Sequence, residues 1–245
     1  MVSQRAIHAW SRAASPLARP GAPLAVVLDL EGTIMPTAFV RDTLFPYARE
    51  RLSRFVHSHR AEERVGALLG EVAALTDGAA QDVDAAIRQL LAWSDADQKI
   101  PPLKALQGMI WDEGFSNGTF RAPLYPEVGL TLKAWQSRGI ALYIYSSGSV
   151  EAQRLLLRHT SAGDLSPQIR GYFDATIGPK LSAASYRTIQ GSIGFQPSDI
   201  LFLSDHPGEI HAARQAGWQA VLIEREGPVT GREPPAATDF IQLAL

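Results

Sequence analysis

The chain of 245 residues has no cysteine. Disulfides, thiolate zinc sites, iron–sulfur clusters and thiol nucleophiles are excluded together. An excess of charge is missing too: 23 Lys and Arg stand against 25 Asp and Glu, for a formal net charge of −2. Such a balance supplies no broad basic face, so neither a nucleic-acid partner nor a membrane partner is expected. No apolar run in the sequence approaches the roughly 20 residues that span a bilayer. What is present is ordinary for a globular protein, 46% hydrophobic and 20% charged residues, enough to bury a sizeable core in one large domain or two modest ones. A soluble enzyme or a soluble binding domain remains, expected in the cytoplasm.

The ends differ from the middle. The N-terminal stretch carries Arg5, Arg12 and Arg19, no acid, and much Ala, Ser and Pro. That composition resembles a mitochondrial transit peptide, but residues 1–23 are read here as a flexible extension. Residues 227–235 (GPVTGREPP) read as a linker before a short last element.

Between the ends the periodicity has two characters. Leu24 to Leu28 is a short apolar run that stops at Asp29 and a turn containing Gly32, the pattern of a buried strand. From about residue 127 apolar runs alternate with amphipathic stretches. Strands are expected at 140–145 (IALYIY), 175–177, 200–203 (ILFL) and 220–223, with helices at about 150–158, 182–190 and 209–216. Alternating strands and helices imply βαβ units around a parallel sheet, whose ligands gather at the carboxyl ends of the strands. Residues 41–120 instead repeat apolar side chains at helical spacing, as in Leu44, Phe45, Ala48, Leu52, Phe55 and Val56, and again in Val83, Ala86, Ile87, Leu90 and Leu91. The expectation is an α/β core formed by residues 24–40 and 121–245, interrupted by a helical bundle suited to be a lid or a dimerisation domain.

Four strand ends carry polar groups. Asp29-Leu30-Glu31-Gly32-Thr33 puts two acids over one cavity, and Gly32 permits the tight turn between them. Asp29 suits a nucleophile or a metal ligand and Glu31 a general acid/base, although acids at such junctions also serve simply as turn formers. Tyr145-Ser146-Ser147-Gly148-Ser149 precedes a helix, where hydroxyls and unpaired N–H groups attract anions; the plainer reading is an N-cap. Lys180, after Gly178-Pro179, is placed to neutralise a phosphoryl oxygen or is a solvated surface charge. Asp205 suits a hard cation such as Mg²⁺, or, like Glu209, only favours the N-terminus of the next helix. Taken in order, an acid pair, a hydroxyl anion site, a lysine and a metal-binding acid are what phosphoryl transfer through an aspartyl-phosphate requires.

That order resembles the haloacid dehalogenase superfamily. The runs YIYSSGSVEAQRLL, FDATIGPKLSAASYR and ILFLSD, with FVRDTLFPYARER and PLKALQGMIW in the helical stretch, are similar to the enolase-phosphatase E1 family in particular. Having Glu31 where most related phosphatases have Asp fits that family. The resemblance implies a Rossmann-like α/β core with a parallel sheet and an inserted all-helical cap over residues 41–120. It implies Asp29 as nucleophile, Glu31 as acid/base, and Ser146 and Ser147 with Lys180 as the phosphate-binding set. One Mg²⁺ per chain is implied at Asp29, Glu31 (through its carbonyl) and Asp205, with Glu209 behind them. The implied substrate is a small phosphorylated diketone, 2,3-diketo-5-methylthiopentyl-1-phosphate, enolised and then dephosphorylated by a monomer.

Some positions depart from the family pattern. Ile34-Met35 stands where a Thr usually follows the motif, a loss expected to alter cap contacts or water positioning. His206-Pro207-Gly208 is an unusual filling between Asp205 and Glu209, and His211 replaces an acid. His57 and His59 are expected to be solvated. Trp93 and Trp111 are expected in cap–core packing rather than against a thioether tail. The competing readings are a phosphatase of the same fold for another small phosphorylated metabolite, and a silent phosphate-binding domain.

Overall fold

The computed structural model describes residues 22–225, 236–243 and 245. Almost all of the N-terminal extension and the whole of the 227–235 linker expectation therefore lie outside the described residues. The chain divides into two compact units, one formed by Met1–Pro36 with Ala122–Leu245 and the other by Thr37–Arg121.

The first unit is built on a parallel six-stranded sheet in the order β3-β2-β1-β4-β5-β6. Its centre is β1 (Ala25–Leu28), flanked by β2 (Ala141–Tyr145) and β4 (Ile200–Ser204). Every residue of these three strands is buried. Their unbroken apolar runs are the mark of a parallel sheet covered on both faces. Val27 lies opposite Tyr143 on one side and Phe202 on the other. One layer of the core gathers Tyr145, Tyr186, Phe202 and Trp218, whose rings meet edge to face around Tyr186. Such pairs add about 0.5–1.5 kcal/mol each beyond the area they bury. Strand order reverses between β1 and β4, so the crevice at their carboxyl ends is the switch point where α/β sheets bind ligands.

One strand differs from expectation. The third strand is β3 (Ile169–Phe173), not residues 175–177. Asp174 ends it by accepting hydrogen bonds from the Thr176 amide and hydroxyl, so residues 175–177 lie in a side-chain-stabilised turn rather than in a strand. β3 is an edge strand with Gly171 at its middle and mostly half-buried residues, and its apolar signal is correspondingly weak. After it come α8 (Ala183–Ile193), α9 (Pro207–Gln215), β5 (Gln219–Ile223) and the short β6 (Ala236–Ala237). Ile34 and Met35 are fully buried.

The second unit is helical. A short α1 (Thr37–Phe39) runs through a π turn at Val40–Leu44 into α2 (Phe45–His59), followed by α3 (Glu63–Leu75), α4 (Val83–Asp95) and α5 (Pro101–Ser116). The stripe Leu44, Ala48, Leu52, Phe55 and Val56 is buried, as are Ala86, Ile87 and Leu90 of α4, which is the outcome that helical spacing of apolar residues produces. Trp111 is packed inside this unit: its indole donates to the Leu44 carbonyl at 2.7 Å and its ring meets Phe45 edge-on. His59 is not merely solvated. It stacks on Phe55, and its Nε2 lies 3.4 Å from Glu113, whereas His57 is an exposed neighbour of Asp84.

Candidate active site

At the carboxyl ends of β1 and β4 the backbone sets the geometry before any side chain acts. The Asp29 amide continues the ladder by donating to Leu203 O. The chain then turns tightly, with Ile34 and Met35 amides both donating to Leu30 O and Gly32 in the left-handed region at φ +76°. Glycine suits position 32, because other side chains rarely adopt this φ and a β-carbon there would sit 2.0 Å from Asp205 Oδ2, which would have to move. Thr33, fully buried, accepts a hydrogen bond from the Asp205 amide on its hydroxyl at 3.0 Å. The two strand ends are therefore stitched together, setting Asp205 against the turn that follows Asp29.

Lys180 enters this place from the loop after β3. Its Nζ is 2.7 Å from Asp29 Oδ1 and 2.7 Å from Glu209 Oε2, with all three side chains almost wholly buried. Glu209 also accepts from the Ser204 hydroxyl at 2.7 Å. Burial, with the negative charge of Glu209 adding to it and Lys180 opposing, pushes the Asp29 carboxyl up to about 7. Burial alone would lower the Lys180 ammonium, but the charges of Asp29 and Glu209 outweigh it and hold the group above the ordinary lysine value. Asp205 is more open to solvent, yet it too is raised, by desolvation and then by the charge of Glu209.

The Lys180 loop is held by groups that the sequence reading did not single out. The Tyr145 hydroxyl donates to Gly178 O, the Ser185 hydroxyl to Pro179 O and the Tyr186 hydroxyl to Lys180 O, at 2.8–2.9 Å. Three consecutive carbonyls are thus fixed before the ammonium reaches its acids. On the other side, Ser146 is buried and its hydroxyl accepts from the Gly148 amide, while Ser147 is exposed. The N-cap of α7 (Val150–Arg158) is Ser149, which takes the Ala152 amide. Ser146 and Ser147 therefore precede the cap rather than form it. Buried Gln153 locks their loop by donating to Gly148 O and Phe173 O. His206 has a plain role, its Nδ1 accepting the Gly208 amide at the start of α9, and His211 Nε2 lies 2.9 Å from Gln215 Nε2.

Residues 23–217 match the family model of the haloacid dehalogenase-like hydrolases. Enolase-phosphatase E1 of Methylococcus capsulatus is 46% identical over 216 residues, 88% of this chain and 95% of its own length. The protein of the same name from Serratia proteamaculans is 45% identical, over 90% of this chain and 96% of its own. This chain is a haloacid dehalogenase-like hydrolase of the enolase-phosphatase E1 family. Among solved structures, the UTR4 protein of Saccharomyces cerevisiae superimposes with a TM-score of 0.75 at 32% identity, covering 90% of this chain and 99% of that one. A dehalogenase with an intermediate complex matches with a TM-score of 0.54 at 17% identity and shows the shared fold alone.

Haloacid dehalogenase-like phosphatases typically depend on Mg²⁺, and the donors here fit it. Asp29 and Glu209 contact the ammonium of Lys180, and Asp205 lies close enough to feel the charges of Glu209 and Lys180; fully ionised, the three acids and the lysine would carry a net charge of −2, which one divalent cation would neutralise. The donors are hard oxygens, as Mg²⁺ prefers. Among the described residues no three His, Cys, Asp or Glu side chains converge as a cage. Mg²⁺ usually keeps several waters and takes only one or two carboxylates, so a sparse set suits it.

Proposed function

We propose that the chain is a Mg²⁺-dependent enolase-phosphatase that converts 2,3-diketo-5-methylthiopentyl-1-phosphate to 1,2-dihydroxy-3-keto-5-methylthiopentene and phosphate in methionine salvage. Phosphoryl transfer is carried by the buried cluster in which Lys180 bridges Asp29 and Glu209 at the switch point. The substrate follows from relatives 44–47% identical that are named enolase-phosphatase E1.

In this reading Ser146 and Ser147 hold the phosphoryl group and Lys180 neutralises one of its oxygens. Enolisation comes first. The Asp29 carboxylate then attacks phosphorus, the bond from phosphorus to the ester oxygen breaks, and Glu31 gives that oxygen its proton. Glu31, now ionised, takes a proton from water, whose oxygen attacks the aspartyl-phosphate; phosphate leaves and Asp29 is regenerated. Asp29, Asp205 and the Glu31 carbonyl would hold a single Mg²⁺, which would supply charge neutralisation at the phosphoryl oxygens. Glu209 does not touch the substrate and keeps Lys180 aimed. The helical unit Thr37–Arg121 serves as the cap that selects the substrate. No described helix is long and apolar enough to cross a membrane, and the protein works as a cytoplasmic monomer.

The test is a coupled assay of the purified chain with the diketo phosphate, following phosphate release and the ultraviolet absorption of the enol product, with Mg²⁺ and with EDTA. Metal-dependent appearance of both products is expected. Release from other small phosphates but not from this one would discard the substrate, and no turnover of any phosphate would discard the enzyme.

A further inference from the structure

Arg225 lies just past β5, beyond the strand ends that carry the expected site residues, yet it reaches the catalytic turn. Its Nε donates to Thr33 O at 3.1 Å, and Nη2 donates to the same oxygen. Nη1 donates to Glu127 Oε1 at 2.5 Å and to Thr238 O at 3.4 Å. Glu127 is held in turn by the Phe240 amide. The guanidinium carbon lies 4.0 Å from the centroid of the Tyr125 ring and 5.0 Å from that of Phe240, and both Arg225 and Glu127 side chains are 10% exposed.

Burying this ion pair is costly, and apolar side chains of the same volume would often be no less stable. What an apolar filling lacks is a pair of donors aimed at one carbonyl. Thr33 is the residue whose hydroxyl receives the Asp205 amide and whose turn begins at Asp29. Thr33 is thus gripped from two directions, by Asp205 at its hydroxyl and by Arg225 at its carbonyl. Tyr125, which lies against the guanidinium, also donates its amide to Ile34 O in the same turn. We propose that Arg225, seated by Glu127, is a positioning residue that fixes the Leu30–Met35 turn so that Asp29, Glu31 and Asp205 keep one arrangement. The inference rests on the phosphatase reading for its consequence in turnover, but its geometric content stands apart from the substrate.

Two variants of the full chain test it. Arg225→Met with Glu127→Leu removes both charges together and leaves no unpaired buried carboxylate; Glu127→Gln keeps the shape and weakens the seat. Mg²⁺ binding is measured by calorimetry without substrate, and phosphate release from the diketo phosphate is measured well below the melting midpoint. The double variant is expected to bind Mg²⁺ about 10-fold more weakly and to lose about 10–100-fold in kcat, with KM within about threefold of wild type. Glu127→Gln is expected to move both quantities a few-fold in the same direction. A lower melting midpoint with unchanged kcat and unchanged Mg²⁺ affinity would overturn the proposal, as would a rise in KM alone. If the double variant does not fold, Glu127→Gln decides, and wild-type values there refute the role. A wild-type chain that releases no phosphate sinks the functional reading, while the Mg²⁺ titrations still decide the positioning role.

Discussion

One buried ammonium shared by two carboxylates determines what substitutions at the site do. Replacing Lys180 with Ala strands Asp29 and Glu209 without their ammonium, and removes the charge proposed to neutralise the phosphoryl group. The expected loss is at least about 10²-fold in kcat/KM, read from steady-state phosphate release. Asp29→Asn keeps shape and loses the proposed nucleophile, so turnover should vanish while circular dichroism and melting remain those of a folded protein; robust activity would refute the aspartyl-phosphate. Gly32→Ala is a steric test. The added carbon would lie 2.0 Å from Asp205 Oδ2 in a left-handed residue, so Asp205 must move. Mg²⁺ binding, followed by calorimetry, should be lost before the fold is.

At the scale of elements, the Lys180 loop depends on hydroxyls from β2 and α8. Tyr186→Phe removes the hydrogen bond to Lys180 O. It should cost about 0.5–1.5 kcal/mol, seen as a lower denaturant midpoint, and should lower kcat by loosening the ammonium. The central strands and the helical stripes were legible in the sequence, because β1, β2 and β4 are unbroken apolar runs and the buried faces of α2 and α4 recur at helical spacing. The sequence reading also singled out Asp29, Ser146, Lys180 and Asp205, because polar residues after apolar runs stand out; the structure sets Lys180 against Asp29, but from a loop well past β3 rather than from the end of a strand over 175–177. β3 was not legible, because an edge strand needs little apolar periodicity. Neither were Tyr186, Gln153 and Arg225, whose roles depend on which backbone carbonyls the fold brings within reach; linear spacing encodes none of that.

For the whole molecule the charge cluster couples stability, pH and metal. The folded Asp29 carboxyl is raised from 3.8 to about 7, so between those values the folded chain holds a proton that the unfolded chain releases. Its contribution to stability is full below the lower value and is lost as pH rises through about 7. Asp205 acts in the same direction. In the proposed site Mg²⁺ would compete with these protons and bind only the folded state. The rise in melting temperature on adding Mg²⁺ should therefore be small near pH 5.5 and grow toward pH 8, as a thermal-shift series at constant ionic strength would record. A metal effect independent of pH over that range would place the cation away from Asp29 and Asp205.

The position of β1 has a consequence for biosynthesis. It is the central strand, with Ala25 opposite Ala141 on one side and Ile200 on the other, and the whole helical unit Thr37–Arg121 is made in between. At about 5–20 residues per second, a ribosome leaves β1 with at least one edge open for on the order of ten to thirty seconds before β4 is available. During that interval the helices, whose partners are near in sequence, form ahead of the sheet. The strand that leads into Asp29 is made before the strands that flank it and is fixed in place only when the second of them arrives.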